Sequence, residues 1–293
     1  MATKALGLAA DLKLADLLAE GPRPVAELAD TTGVEARTLQ RVLRALAADG
    51  VFAEVAPGVF RNTAESERLR TDAHNGWSEF AHLFAGVFYD AIKNFPEKFE
   101  TDFWEWLAVN PAERAAFDAA MAGGKARSAE RLTQLDWQPN ETVVDVGGGN
   151  GALLRELTRR RPELRGVVFD LPETVRNDAS FGDRIEFVAG SFFDSVPAGD
   201  AYVLSAILHD WDDEKAAAIL RTIRSSAPQG ARLLLLENVI AAGNEPQGSK
   251  WLDLLMLVLG GRERTAEEWR GLIEGTGFEI GSIEDGLIQA TCR

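Results

Sequence analysis

Apolar positions in the first part of the chain recur at the spacing of amphipathic helices and then alternate as in short strands. The predicted helices are Ala5–Leu18, Val25–Thr31 and Glu35–Ala48. Two predicted strands, Val51–Val55 and Val59–Arg61, are joined by a turn that contains Pro and Gly. Helices followed by a hairpin in this order indicate a winged helix over residues 1–71.

Short apolar runs alternate with amphipathic helices from residue 141 onward. Runs of this length are typical of buried parallel strands, and the five predicted ones are Thr142–Val146, Gly166–Phe169, Ile185–Val188, Tyr202–Leu204 and Leu233–Leu236. The predicted helices are Ala152–Arg160, Asp213–Ser225 and Thr265–Glu274. Two last strands, Phe278–Ile283 and Leu287–Thr291, close as a hairpin, so this part is predicted to be a doubly wound α/β domain with an antiparallel end.

The region between these two parts is predicted to be helical and is rich in aromatic side chains. Trp77 to Phe117 contains 11 of the 24 Phe, Tyr and Trp residues. Pro111 fits the first turn of a helix on which Phe117 and Met121 share one face. We therefore predict a winged helix at 1–71, a helical linker at 72–136 and an α/β domain at 137–293.

Composition and charge restrict the classes of partner. Of the 293 residues, 46% are hydrophobic and 26% are charged, as in soluble globular proteins, and no apolar run approaches the ~20 residues of a membrane span. The formal charge of −15 opposes binding to nucleic acid, although residues 1–71 are nearly neutral. Cys292 is the one cysteine, so neither an internal disulfide nor a thiolate metal site is expected, and a cytoplasmic location is the default.

A glycine-rich loop follows the first strand of the α/β domain. Gly147-Gly148-Gly149-Asn150-Gly151 precedes a helix, and Asp170 ends the next strand, where an acid can accept hydrogen bonds from both hydroxyls of a ribose. These features predict a nucleoside-bearing ligand. A dinucleotide fits the glycine spacing too, but Asp145, just before the loop, suits a cationic ligand and would repel a pyrophosphate.

A histidine lies at the carboxyl edge of the predicted sheet, which is where open α/β folds bind ligands. His209 follows the fourth parallel strand in the segment Leu208-His209-Asp210-Trp211. A histidine is the usual proton acceptor near neutral pH, whereas His74 and His82 lie in no motif.

Five motifs now occur in order along the chain. They are Asp145-Val146-Gly147-Gly148-Gly149-Asn150-Gly151, Phe169-Asp170-Leu171-Pro172, Gly190-Ser191-Phe192-Phe193, Leu208-His209-Asp210-Trp211 and Gly261-Arg262-Glu263-Arg264-Thr265. Together they resemble the S-adenosylmethionine-dependent O-methyltransferases of the caffeate and natural-product type. The resemblance covers nearly the whole chain and implies a Rossmann-like class I methyltransferase domain, with a seven-stranded sheet, after a winged-helix dimerisation domain.

The resemblance implies S-adenosyl-L-methionine as the cofactor, an aromatic hydroxyl as the acceptor and no metal. The residues it implies for the cofactor are Gly147 at the methionine end, Asp170 and Leu171 at the ribose, Ser191 and Phe192 at the adenine, and Ser205 near the carboxylate or amino group. For catalysis it implies His209 as general base with Glu237 and Glu263 beside its ring. For the substrate pocket it implies Phe117, Met121 and Met256. The segments Arg70–Asp102 and Gly260-Gly261 are short for this family, so neither the pocket's shape nor the acceptor is predicted.

Two other functions stay open at this point. Relatives repurposed as hydroxylases or decarboxylases keep the cofactor but not methyl transfer. A winged helix can also bind DNA, and Arg37, Arg41 and Arg44 share one side of its third helix. The leucines of Ala5–Leu18 exceed what a small winged helix is expected to bury, so we predict a homodimer whose second copy covers them.

Overall fold

The computed structural model describes residues 1–93, 95, 97, 102–172, 174–175 and 184–293, and Ala126 by its backbone alone. Internal contacts group the chain into two units, one of Met1–Asn94 with Trp106–Gly124 and one of Phe95–Glu105 with Lys125–Arg293. Residues 72–136, predicted as a linker, are divided between the two units. Part of the short segment Arg70–Asp102, namely residues 94, 96 and 98–101, lies outside the described residues.

The first unit is mainly helical. Its helices are α1 (Ala2–Asp11), α2 (Leu14–Leu17), α3 (Val25–Thr32), α4 (Ala36–Ala48), α5 (Ala64–Glu67), α6 (Trp77–Ala85), α7 (Val87–Ile92) and α9 (Pro111–Gly123), and α8 (Phe103–Val109) contributes residues to both units. Its strands are β1 (Arg23–Pro24), β2 (Phe52–Ala56) and β3 (Val59–Asn62).

A small sheet completes the winged helix. The predicted hairpin is present as β2 and β3, and β1 adds a third antiparallel strand by pairing Arg23 with Phe60. This third strand could not be predicted, because two residues are too few to show an alternating pattern. Phe60 is fully buried together with Leu39 and Leu43 of α4, so the wing packs on the longest helix of this motif.

The predicted helix Ala5–Leu18 is broken in two. Lys13 adopts a left-handed conformation with φ of +52°, so α1 ends before it and α2 begins after it. Leu14 and Leu18 enter the winged-helix core, while α1 packs closely on α6, where a Cβ on Gly7 would lie 2.1 Å from the Cβ of Ala85. These apolar residues are thus covered in good part by their own unit, and the leucine argument for a partner chain loses its force.

The second unit is an α/β domain. Its strands are β4 (Thr142–Val146), β5 (Arg165–Asp170), β6 (Ile185–Ala189), β7 (Ala201–Ser205), β8 (Arg232–Leu236), β9 (Val239–Ile240), β10 (Arg264–Thr265), β11 (Phe278–Glu284) and β12 (Leu287–Cys292). Its helices are α10 (Lys125–Thr133), α11 (Ala152–Arg160), α12 (Asp213–Ser226), α13 (Gly248–Leu259) and α14 (Ala266–Glu274), with a 3₁₀ turn at Leu208–Asp210.

The main sheet confirms the predicted seven strands with an antiparallel terminal hairpin. Its order is β11-β12-β8-β7-β4-β5-β6, and the five strands from β8 to β6 are parallel. One face packs on α12 and α14 through residues such as Leu220 and Trp269. The other packs on α10 and α11 through residues such as Leu132 and Leu157. Layers on both faces leave the carboxyl ends of the parallel strands as the edge where a ligand can approach.

The most apolar run of the sequence, Trp251 to Leu259, lies in α13, which is 12 residues long. Within the part of the chain described, no helix has both the length and the apolarity needed to cross a bilayer.

Candidate active site

The glycine loop after β4 adopts a backbone that side chains would obstruct. Gly147, Gly149 and Gly151 have φ angles of +72°, +58° and +76°, a region that favours glycine. A Cβ on Gly147 would lie 2.5 Å from Cδ1 of Ile207. The loop therefore opens the backbone at the sheet edge and leads into the N-terminus of α11.

A buried carboxylate lies beneath this loop. Asp145 is 1% exposed, and its Oδ2 atom has no hydrogen-bond partner within the described structure. Burial raises the pKa of Asp145 to about 6, with Asp170 reinforcing and Lys125 opposing the shift. A cation that approaches a buried carboxylate stabilises its ionised form, so the position of Asp145 suits a positively charged ligand.

Asp170 ends β5 next to the loop. Its Oδ2 accepts a hydrogen bond from the Gly149 N–H at 2.8 Å, and its Oδ1 accepts one from the Leu171 N–H at 2.7 Å. Both bonds hold the carboxylate at the strand end, where the sequence predicts ribose binding. Leu171 is partly exposed beside it.

The residues predicted to contact adenine follow β6. The Ser191 hydroxyl accepts a hydrogen bond from the Phe193 N–H at 3.2 Å and so stabilises a turn. Phe192 packs edge-on against Phe193 and against Trp211, with ring centroids 5.0 and 6.0 Å apart. An aromatic wall of this kind offers a surface on which a flat base can stack.

His209 lies between two carboxylates. Its Nδ1 is 2.9 Å from Oε1 of Glu263, and its Nε2 is 3.5 Å from Oδ1 of Asp210. Asn238 donates a second hydrogen bond to the same Glu263 oxygen at 3.0 Å, and the Glu263 N–H is held by Asp253 at 2.8 Å. One oxygen of the Glu263 carboxylate is thus held by Asn238 and fixes one nitrogen of the imidazole.

Glu237 is near His209 but has a different task from Glu263. Its Oε1 accepts hydrogen bonds from the N–H groups of Ile207 and Leu208 at 3.0 and 2.8 Å, and no hydrogen bond joins it to the imidazole. It therefore holds the backbone that carries the histidine. Its charge still acts on the ring through space.

The residues around β10 also hold this segment. The fully buried Arg264 donates hydrogen bonds to the carbonyls of Leu208 and Trp211 at 3.0 and 2.9 Å. The Arg262 N–H donates to the His209 carbonyl at 2.8 Å. Residues 207–211 are consequently held from both sides.

The protonation state of His209 follows from these neighbours. Burial by itself lowers the pKa of His209, but the charge of Asp210, the hydrogen bond that the imidazole donates to Glu263 and the charge of Glu237 outweigh it and raise the pKa to about 10. Burial raises the pKa of Asp210 to about 7, against the attraction of the imidazolium. The histidine and its acids thus form one coupled group.

The other predicted site residues lie in both units. Ser205 ends β7 and is buried, with its hydroxyl 3.4 Å from that of Ser128. Met256 is buried in α13 of the second unit. Phe117 and Met121 lie half-buried on α9 of the first unit, one turn apart as the spacing predicts.

Three polar residues of this edge were not predicted from the sequence. Lys125 reaches the Ser205 carbonyl with its Nζ at 2.8 Å, Asp210 faces His209, and Asn238 supports Glu263. Asp210 follows a predicted residue directly and could have been included. Lys125 and Asn238 belong to no motif, and only the fold brings them here. Within the described residues, no group of three or more His, Cys, Asp and Glu has metal-binding geometry.

The residues around the glycine loop fit a nucleoside with a cationic centre. The positive-φ glycines leave room for its close approach, Asp170 is positioned for hydroxyl groups, and the unpartnered oxygen of Asp145 suits a positive charge. S-adenosylmethionine combines these features, since its sulfonium and ammonium groups are cationic.

Comparisons with known proteins identify the family. An O-methyltransferase domain family matches residues 77–279, and an O-methyltransferase dimerisation domain family matches residues 1–72. The chain is 40% identical over 262 residues to the phenazine O-methyltransferase PhzM of Lysobacter antibioticus, covering 83% of this chain and 77% of that protein.

Solved structures extend the similarity to the whole fold. The crystal structure of LaPhzM has a TM-score of 0.92 at 38% identity and covers 99% of this chain and 95% of its own. NcsB1, an O-methyltransferase from neocarzinostatin biosynthesis solved with S-adenosylmethionine and 2-hydroxy-5-methyl naphthoic acid, has a TM-score of 0.83 at 33% identity and covers 100% and 97%. The chain therefore belongs to the S-adenosylmethionine-dependent O-methyltransferases, with an N-terminal dimerisation domain and an O-methyltransferase domain.

Proposed function

We propose that this chain methylates a hydroxyl group of an aromatic small molecule, a secondary metabolite, with His209 as the general base. The similar proteins support an aromatic acceptor, since one is a phenazine O-methyltransferase and another was solved with a naphthoic acid. The observation that carries the role of His209 is its contact with Glu263, which holds Nδ1 at 2.9 Å. Nε2 is then the ring nitrogen that can serve an acceptor hydroxyl.

The proton transfer is close to thermoneutral in this setting. When bound, the cofactor would supply a methyl group on a sulfonium, which can pass in line to an oxygen nucleophile as the S–C bond breaks and S-adenosylhomocysteine leaves. A phenol has a pKa near ~10, by analogy with tyrosine. Because the pKa of His209 is also raised to about 10, moving the proton from the acceptor to Nε2 costs little free energy. The histidine can equally hold the proton beside an acceptor that arrives as a phenolate.

The flanking residues act by placing the histidine. Glu263 orients the imidazole through Nδ1, while Glu237 fixes the N–H groups just before it in the chain. Errors of about an ångström in the placement of reacting groups cost large factors in rate, so both are positioning residues for the base.

The substitution His209→Gln tests this proposal. We expect kcat to fall roughly 10²- to 10⁴-fold, the range typical of a lost general base, while the dissociation constant of S-adenosylhomocysteine changes little. The assay offers a hydroxyphenazine and a hydroxynaphthoate and measures S-adenosylhomocysteine and the methyl ether together. His74→Asn is the control, because His74 is exposed and has a positive φ that asparagine tolerates.

Each alternative predicts a different result. Unchanged turnover in His209→Gln would remove the histidine from the proton transfer. A product that has lost a carboxyl group or gained a hydroxyl, without equimolar S-adenosylhomocysteine, would indicate a repurposed reaction. DNA binding has little support from the first unit, where Arg44 of α4 is paired with Glu54 of the wing at 3.3 Å.

We further propose that the protein is a homodimer, because residues 1–72 match a dimerisation domain family. Light scattering at micromolar concentration should give twice the chain mass of 31.9 kDa. A mass of one chain that persists as the concentration rises would contradict the proposal.

A further inference from the structure

A lysine that no proposed catalytic step uses lies among the acids of the sheet edge. Lys125 is the first residue of α10, and its Nζ donates a hydrogen bond to the Ser205 carbonyl at 2.8 Å. The carboxylates of Asp145, Glu237, Asp210 and Asp170 all act on it. Burial lowers the pKa of Lys125, and these four acids oppose that shift. The ammonium therefore lies close enough to these four carboxylates to interact with their charges.

The surroundings leave this lysine with unused hydrogen-bonding capacity. Among the described residues, the Ser205 carbonyl is the acceptor that Nζ reaches, although an ammonium has three donors. The nearby Oδ2 of Asp145 is buried without a partner, so the lysine and this acid have not closed into a direct hydrogen-bonded pair. Lys125 is partly buried, and a desolvated ammonium with spare donors is costly unless a ligand completes it.

The charges of the cofactor indicate which of its groups could accept hydrogen bonds from Lys125. Its amino-acid end carries an ammonium and a carboxylate close to the sulfonium. The acids around Asp145 suit the two cationic groups, but they repel the carboxylate. Among the described residues, Lys125 and His209 are cations that act on Asp145, Asp210 and Glu237, and Glu263 holds Nδ1 of the histidine. Of these two cations, the lysine has donors to spare for the carboxylate.

We propose that Lys125 binds the carboxylate of the methionine part of the cofactor. The positive charge of the lysine then offsets the repulsion that the cofactor's carboxylate meets from Asp145, Asp170, Asp210 and Glu237. It is a cofactor-binding residue outside the motifs of the sequence, and it acts on binding rather than on proton transfer. The inference depends on the cofactor alone and not on the identity of the acceptor or the role of His209.

Calorimetric titration with two ligands tests this role without any turnover. One ligand is S-adenosylhomocysteine, and the other is its decarboxylated analogue, which keeps the nucleoside, the thioether and the amino group. In Lys125→Met the affinity for S-adenosylhomocysteine should fall roughly 10- to 100-fold, the range of a charge-assisted hydrogen bond. The affinity for the analogue should stay unchanged or rise, because the repulsion between the lysine and the ligand's ammonium is lost. Lys125→Arg should retain the preference for S-adenosylhomocysteine.

Controls separate this role from a structural one. Lys250 also donates to backbone carbonyls, those of Gly243 and Glu245 at 2.7 and 3.0 Å, so Lys250→Met is a matched variant that should leave both affinities unchanged. If Lys125→Met weakens both ligands equally, or neither, the proposal is overturned. Should Lys125→Met fail to fold, Lys125→Gln removes the same charge with a polar side chain and must show the same difference between the two ligands.

Discussion

The imidazole of His209 is surrounded by carboxylates, and they decide its proton affinity. Without them, burial would favour the neutral ring. With Glu263 at Nδ1 and Asp210 at Nε2, the ring is protonated near neutral pH. A cation bound nearby would oppose this rise in the pKa of the ring. The acids thus bring the proton affinity of the ring close to that of a phenol.

The substitution Glu263→Gln should reveal this tuning in the pH profile. It removes one negative charge but keeps an oxygen that accepts the hydrogen bond from Nδ1. Because the hydrogen bond and charge of Glu263 raise the pKa of His209, the acidic limb of kcat/KM should move to lower pH, by about one unit. The rate on the plateau should fall about 10-fold, since the base becomes weaker.

A matched variant at a remote ion pair controls for the loss of charge. Glu156→Gln removes a carboxylate that pairs with Arg159 and Arg160 on α11, so it should leave the pH profile in place. An acidic limb that stays at the native pH in Glu263→Gln would mean that another group titrates there.

The sequence predicted part of this chemistry. The histidine segment and Glu263 belong to motifs and could be identified by resemblance, and the structure brings them within hydrogen-bond distance. Asn238 and Lys125 could not be found in this way, because neither has a motif and their neighbours are 25 and 80 residues away in the chain. The fold also decides that Glu263 contacts the imidazole and that Glu237 contacts the backbone, and the sequence alone did not show this.

At the scale of elements, the site is formed by two loops that pack against each other. The segment after β7 carries the histidine, and the segment before β10 holds it by hydrogen bonds and by close packing. Ala206, at the start of this segment, has a φ of +54°, which is unfavourable for a residue with a Cβ. Its neighbours compensate, because Glu237 and Arg264 satisfy the polar groups of the segment.

The substitution Gly261→Ala should disturb the packing between these two segments. A Cβ at this position would lie 2.1 Å from the His209 carbonyl oxygen, so one of the two segments has to move. We expect kcat to fall at least 10-fold, because a shift of about an ångström displaces the base, together with a loss of about 1 to 3 kcal/mol in the free energy of unfolding. Steady-state kinetics and urea unfolding measure the two effects.

Gly271→Ala provides the comparison for this change. Gly271 lies within α14, and a Cβ there meets nothing within 4 Å, so this variant should be as stable as the native protein or slightly more so. Equal kinetics for Gly261→Ala and the native enzyme would show that the segment adapts without moving the histidine.

The elements were predictable to different degrees. The five parallel strands appear in the sequence as apolar runs because both of their faces are buried, and α11 begins and ends where its pattern predicts. The helices α5 and α13 were not among the predicted ones. The break at Lys13, the pairing of β1 with β3 and the pairing of β9 with β10 also escaped prediction, because each depends on tertiary contacts of one or two residues, which leave no periodic signal.

At the scale of the molecule, the excess of acids is partly concentrated at the ligand-binding edge. Buried carboxylates such as Asp145 are unfavourable for folding, because burial disfavours the charged form. Such groups tie the stability of the protein to pH.

The dependence has a definite sign. The pKa of Asp145 rises from 3.8 in the unfolded chain to about 6 in the folded one, so the folded state binds more protons between these values. Stability therefore falls as the pH rises through this window, and the full cost applies above it. The raised pKa of Asp210, about 7, acts in the same direction, and that of His209 extends the fall toward pH 10.

The substitution Asp145→Asn should remove the first part of this dependence. Its free energy of unfolding at pH 8 should exceed that of the native protein by about 1 to 3 kcal/mol, since each pKa unit corresponds to about 1.4 kcal/mol. At pH 4, where the native acid is mostly protonated in the folded state, the two proteins should differ little. Glu245→Gln, at an exposed position, should change neither value. If Asp145→Asn is instead less stable at pH 8, attraction between Asp145 and Lys125 outweighs the cost of burial, and the acid stabilises the fold.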